Sequence, residues 1–207
     1  MAATATATAT ADAQIDLWDE PETVSIGKGM TMTFLRNSDY LSRVIISAES
    51  DGLTVPLHYH EMHDEIFRVV KGRVRYTLGE AGAKFKAFSW LRATTRFYTA
   101  EDGEVVIPKG TAHAIFVEPG QDVVFEERTT PMDDDKEVFF RNVFAVGGLT
   151  ASPFAVMQIF YHGDGYPALP GGIRILEKAL TSLLGHYIAP LLGYKLAYDP
   201  LKIKKHA

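Results

Sequence analysis

Three of the chain's seven histidines, His58, His60 and His63, fall close together in PLHYHEMHDE. On a strand, residues two apart point to the same face, so His58 and His60 aim together. Two inward-facing imidazoles are costly to bury unless something takes up their lone pairs, and a divalent metal ion does so. Glu65 has the opposite strand parity from His60 and joins the same site only if a turn or bulge at Met62-His63-Asp64 resets the register. A fourth imidazole, His113, follows Pro108-Lys109-Gly110 in a separate strand. Three neutral nitrogens and a carboxylate suit Fe, Mn, Co, Ni or Zn, and an octahedral ion keeps positions open for water, oxygen or substrate. Such an ion polarises a carbonyl or enolate oxygen, activates water or, if redox-active, supports oxygen chemistry.

The rest of the composition narrows the field. The chain has 207 residues, of which 46% are hydrophobic and 23% charged, in the range of one soluble globular domain with an extension. There is no cysteine, which excludes disulfide frameworks, thiolate metal sites and a thiol nucleophile. The net charge of −5, without a basic stripe, argues against nucleic acid as a partner. No Gly-rich phosphate loop or nucleophile elbow is present, so no organic cofactor is expected.

The elements that must carry these residues read as short strands. Segments 44–48, 65–70, 73–78, 104–107, 112–118 and 123–128 are rich in β-branched and aromatic residues, and Gly- or Pro-containing turns separate them. This predicts an all-β fold, a small antiparallel β-barrel, with a helical C-terminal extension. Residues 1–16, MAATATATATADAQID, read as a disordered Ala/Thr-rich lead without signal-peptide character. The barrel domain is assigned to 17–150 and the extension to 151–207. Within the extension, Ile173, Leu176, Leu180, Leu183, Leu184 and Tyr187 recur at helical spacing, with Pro190 marking an end or kink. Interspersed charges make this a packing helix rather than a membrane span, and the terminal KKHA reads as a solvated tail. Without a targeting segment or span, a cytoplasmic location is expected.

The combined spacing resembles the two motifs of the cupin superfamily. Gly52, His58, His60, Glu65 and Gly72 match the first, and Pro108, Gly110 and His113 match the second. Gly103 stands one residue nearer Pro108 than that pattern has it, and Val117 replaces its usual Asn. The resemblance covers roughly 40–130 and implies a barrel holding one divalent ion (Fe, Mn, Ni or Zn) on His58, His60, Glu65 and His113. The layout is also similar to that of small cupin oxidoreductases of fungal secondary metabolism.

These implications point to a metal-dependent oxidoreductase of the dioxygenase kind, acting on a small phenolic or polyketide-like metabolite, with Glu65 as the catalytic base. A non-redox isomerase, cyclase, decarboxylase or lyase and a non-catalytic binding barrel remain alternatives. Phe67, Tyr76 and Ile115 are the candidate substrate contacts, on the premise that Val74, Tyr76 and Leu78 face inward and Arg73 and Arg75 outward. The aromatics Phe85, Phe88, Trp90, Phe97 and Tyr98 either cover the barrel mouth or pad its exterior. His63 is expected in an exposed loop rather than as a proton-transfer group behind the site, His162 in a turn rather than over the mouth, and His186 packed or capping in the C-terminal helix. A homodimer is the expected assembly.

Overall fold

The computed structural model describes residues 14–79, 93–133 and 135–205. The lead through residue 13 and Phe85, Phe88 and Trp90 lie outside the described residues. Among the described residues, eleven strands, joined by antiparallel pairing, form two facing sheets. The first, in the order β1-β2-β3-β10-β5-β8, comprises Thr23–Gly27, Met30–Phe34, Ser42–Ile46, Val123–Thr130, Asp64–Lys71 and Glu104–Ile107. The second, in the order β11-β4-β9-β6-β7, comprises Tyr166–Pro167, Leu53–Tyr59, His113–Val117, Arg73–Leu78 and Thr94–Thr99. This is the expected all-β barrel, with a helical part at its C-terminal end.

Alternation decides what each strand buries. In β3, Ser42, Val44 and Ile46 point inward while Arg43 and Ile45 point out. In β6, Val74 and Tyr76 face the core, leaving Arg73 and Arg75 to lie over the rings of Phe97 and Phe116. The charges stay outside because an unpaired guanidinium has no partner in an apolar core. Phe67 and Tyr76 are fully buried, with ring centroids 3.7 Å apart and planes within 7°. Tyr98 packs edge-on against both. Of the aromatics in the intervening segment, Tyr98 is thus core and Phe97 lies on the exterior.

The barrel strands end at Thr130, and the helical part begins with α1 (Asp135–Ala145), followed by α2 (Pro153–His162). A third helix, α3 (Arg174–Thr181), runs on into a π-helical segment, Ser182–Ile188. The third helix turns an unexpected face to the protein. Glu177, Thr181, Gly185 and Ala189 are buried, while Ile175, Leu176, Leu183, Tyr187 and Leu191 are more than half exposed. Glu177 is tolerated because its carboxylate accepts from the Leu169 N–H at 2.7 Å and lies 3.5 Å from Arg174. A Cβ on Gly185 would collide with the Met157 carbonyl, so the residue allows this helix to approach α2 closely. His186 packs against Tyr161 with ring centroids 4.8 Å apart. No helix among the described residues is long and apolar enough to cross a membrane. Ile15 pairs with Ile203 and ties the two chain ends together.

Candidate metal centre

His58 on β4 and His113 on β9 are directly opposite one another in the ladder, which puts both rings on the same face. The register shifts between Val55 and His58, where Pro56 interrupts regular pairing. His60 follows the end of β4, and the chain then crosses at Glu61–His63 from the second sheet into the first. Glu65 therefore reaches the histidines from the facing sheet. The turn lies where the parity argument requires one, and the change of sheet is what resets the direction of the side chain.

One ligand atom from each of His58, His60, Glu65 and His113 lies within 4.8 Å of every other. Backbone carbonyls hold all three rings by Nδ1. Pro56 O lies 2.8 Å from that of His58, Asp164 O 2.6 Å from that of His60 and Thr111 O 3.0 Å from that of His113. Since a carbonyl can only accept, each Nδ1 carries the proton and each Nε2 keeps its lone pair. Glu65 Oε2 stands 3.2 Å from His113 Nε2 and 3.6 Å from His60 Nε2. His113 Nε2 is buried and lacks a well-formed hydrogen bond. Acceptors turned on one another at such distances need a cation among them, either a proton or a metal ion. A divalent ion fits this donor set.

Electrostatics agree. Burial, and then the neighbouring His113, push His58 down to about 3, and burial with Lys136 drives His60 well below the usual imidazole range. Burial also opposes charge on His113 and Glu65, but their mutual attraction outweighs it, raising His113 and lowering Glu65. The two groups thus stabilise each other in their charged forms.

The cluster opens on a cavity of about 400 Å³. Its walls are mostly apolar, including Met32, Val44, Ile115, Phe125, Phe140 and Phe160. Helix α1 contributes Lys136, Phe139, Phe140, Val143 and Phe144 to its walls, and α2 contributes Phe160. Of the three expected substrate contacts, Ile115 lines this space. Phe67 and Tyr76 are not among its walls and stack together in the core. A second cleft of about 420 Å³, between Trp18, Arg36 and Lys204, is remote in composition from this chemistry. Its Arg36 is engaged by the carbonyls of Leu17, Trp18 and Glu20.

Three polar groups near the site escaped the sequence reading. Asp164, at φ 53°, holds His60 through its carbonyl and the Glu61 and Met62 N–H groups through its carboxylate. Lys136 from α1 is buried, donates to Gly163 O at 3.1 Å and stands 3.3 Å from His60 Nδ1. Glu127 on β10 lines the cavity and accepts from the Ser42 hydroxyl at 3.1 Å. Only Glu127 carried a sequence signal, since it shares strand parity with the apolar Val123 and Phe125. His63 is corrected from exposed loop to buried, stacked on His60 and 3.5 Å from Asp164. His162 is exposed at the end of α2, while Phe160 of the same helix reaches the cavity.

Burial, reinforced by the Glu65 charge, pushes Glu127 up to about 8 from 4.5. The folded protein therefore keeps a proton that the open chain has released, and stability falls as pH rises from 4.5 towards 8. In metal-stripped protein, Glu127→Gln is expected to raise the melting temperature more at pH 8 than at pH 5. Equal gains at the two pH values would contradict the buried, protonated carboxyl.

The two-sheet antiparallel barrel brings together the residues of both motifs that resemble those of the cupin superfamily. No protein-family model matches the chain. Among curated proteins, it is 27% identical over 165 residues to an oxidoreductase of Arthrobotrys oligospora, covering 71% of this chain and 59% of that protein. It is 26% identical over 156 residues to the probable oxidoreductase patJ of Penicillium expansum, covering 68% and 43%. The chain spans about half the length of the curated relatives it matches. Among solved structures it overlays the CENP-C cupin domain of Drosophila melanogaster with a TM-score of 0.39, 12% identity, and 57% and 82% coverage. The chain is thus distantly similar to proteins named oxidoreductases and carries a His/Glu cluster suited to a metal ion.

Proposed function

We propose that the protein is a metal-dependent cupin oxidoreductase that uses oxygen to oxidise a small phenolic or polyketide-like metabolite. The observation that carries this reading is the convergence of His58, His60, Glu65 and His113, three of which line a largely apolar cavity. His58, His60, Glu65 and His113 would hold one divalent ion, of Fe, Mn, Ni or Zn. Bound there, the ion supplies Lewis acidity and, if redox-active, electron-transfer chemistry. The chain's own residues do the rest. Backbone carbonyls fix the three rings, so the donor set needs little reorganisation when loaded. Phe139, Phe140 and Phe160 grip an apolar substrate body and exclude water. Glu65 takes the proton from a substrate hydroxyl as its oxygen becomes anionic.

The test is oxygen uptake by metal-loaded protein with a panel of phenols. The reading expects consumption in step with substrate loss, abolished in His58→Ala. Turnover without oxygen favours a lyase or isomerase, and binding without turnover favours a ligand-holding barrel. The exposed apolar face beyond Arg174 supports a homodimer, since such a face is costly to leave in water.

A further inference from the structure

We propose that Glu127 is a specificity-determining residue of the cavity, hydrogen-bonding a hydroxyl group on a ligand whose apolar body fills the remaining space. This inference rests on the reading of the cavity as the substrate site. Strand β10 carries two consecutive glutamates with opposite fates. Glu126 points to the outer face, where Arg43 Nε donates to one carboxylate oxygen and Arg68 Nε to the other, each at 2.7 Å. Glu127 points inward between Phe125 and Thr129 and has no ion-pair partner among the described residues. Ser42 Oγ occupies its Oε1, and Oε2 has no hydrogen-bond partner among the described residues. That oxygen belongs to a side chain lining the cavity and is free to meet a ligand there.

The surrounding chemistry selects the ligand. Met32, Val44, Ile115, Phe125 and Phe140 offer only dispersion and ring contacts. Glu127 thus supplies a polar handle beside these apolar side chains, in a cavity whose other polar lining is the His58, His60 and Glu65 cluster, Lys136, Thr54 and Thr150. A hydroxyl pairs with a carboxyl group in either protonation state, donating to the carboxylate or accepting from the acid. A carbonyl pairs only with the acid, and an anionic group is repelled by the carboxylate. The favoured ligand is therefore a flat or compact apolar molecule bearing a free hydroxyl. A site built to hydrogen-bond a hydroxyl discriminates strongly against the analogue that lacks it.

2-Naphthol and naphthalene, which differ only in the hydroxyl, serve as probes in equilibrium binding, with metal content measured in every sample. Wild-type protein is expected to bind 2-naphthol about tenfold more tightly. Glu127→Leu should lose the preference for 2-naphthol with metal content unchanged, and Glu127→Gln should retain it. A full preference in Glu127→Leu, or none in the wild type, overturns the proposal. If Glu127→Leu does not fold, the infrared carboxyl band assigned through Glu127→Gln decides. The proposal expects that band to shift with 2-naphthol and not with naphthalene, and the absence of such a shift overturns it. Absence of metal from the wild type would contradict the metal reading separately, because the probe preference is read independently.

Discussion

His113→Ala is expected to weaken divalent-metal binding by about 100-fold or more while leaving the barrel folded. Loss of an outer partner that merely orients a metal ligand already costs about 10–100-fold in affinity, and His113 is placed to be a ligand itself. Its Nδ1 is committed to Thr111 O at 3.0 Å, and its Nε2 has Glu65 as the facing group at 3.2 Å. Alanine removes one donor and also releases Glu65 from the interaction that holds its carboxylate charged. Folding is expected to survive because the strand keeps its ladder to β4 and β6 and its buried Ile115 and Val117. Titration of metal-stripped protein with Mn²⁺ or Zn²⁺, alongside circular dichroism, measures both halves of this expectation. Unchanged affinity in a folded variant would remove His113 from the ligand set.

Phe67→Ala is expected to destabilise the protein by about 3–5 kcal/mol, the usual cost of deleting a fully buried ring. The ring is stacked face to face on Tyr76 and meets Tyr98 at its edge, so the space it vacates is walled by large, fixed side chains. Little collapse is available there, which places the cost towards the upper end of the range. Chemical denaturation measures the loss. Metal affinity of the folded fraction should stay close to wild type, since Phe67 supplies no ligand atom. A loss under about 1 kcal/mol, accompanied by weaker binding of small apolar molecules, would return Phe67 to the substrate-contacting role that its strand parity suggested.

The two residues illustrate what the sequence makes legible. Alternation in β5 sets Glu65, Phe67 and Val69 on one face, and turn residues located most of the central strands. Alternation says which side chains travel together, but not how deep each sits, so Phe67 could not be separated from a cavity wall. Glu65 posed a different problem. Parity is defined within one sheet, and the chain changes sheets between His60 and Glu65. The third helix shows the same limit, since its period groups the apolar residues while the face it buries is set by Gly185 and the carbonyl of Met157. Asp164 and Lys136 reach His60 from far along the chain, and no local pattern announces such contacts. Helix α1 is short of the usual signs because its buried face includes Lys136, Glu137, Arg141 and Asn142.

The most direct measurement is anomalous diffraction from crystals grown with Mn²⁺ or Zn²⁺, collected at an energy where the ion scatters strongly. The account predicts one dominant peak per chain, shared by Nε2 of His58, His60 and His113 and the carboxylate of Glu65. A dominant peak at the neighbouring group of His60, His63 and Asp164, the other metal-suited cluster among the described residues, would contradict it. So would crystals that show no peak at either cluster after reconstitution.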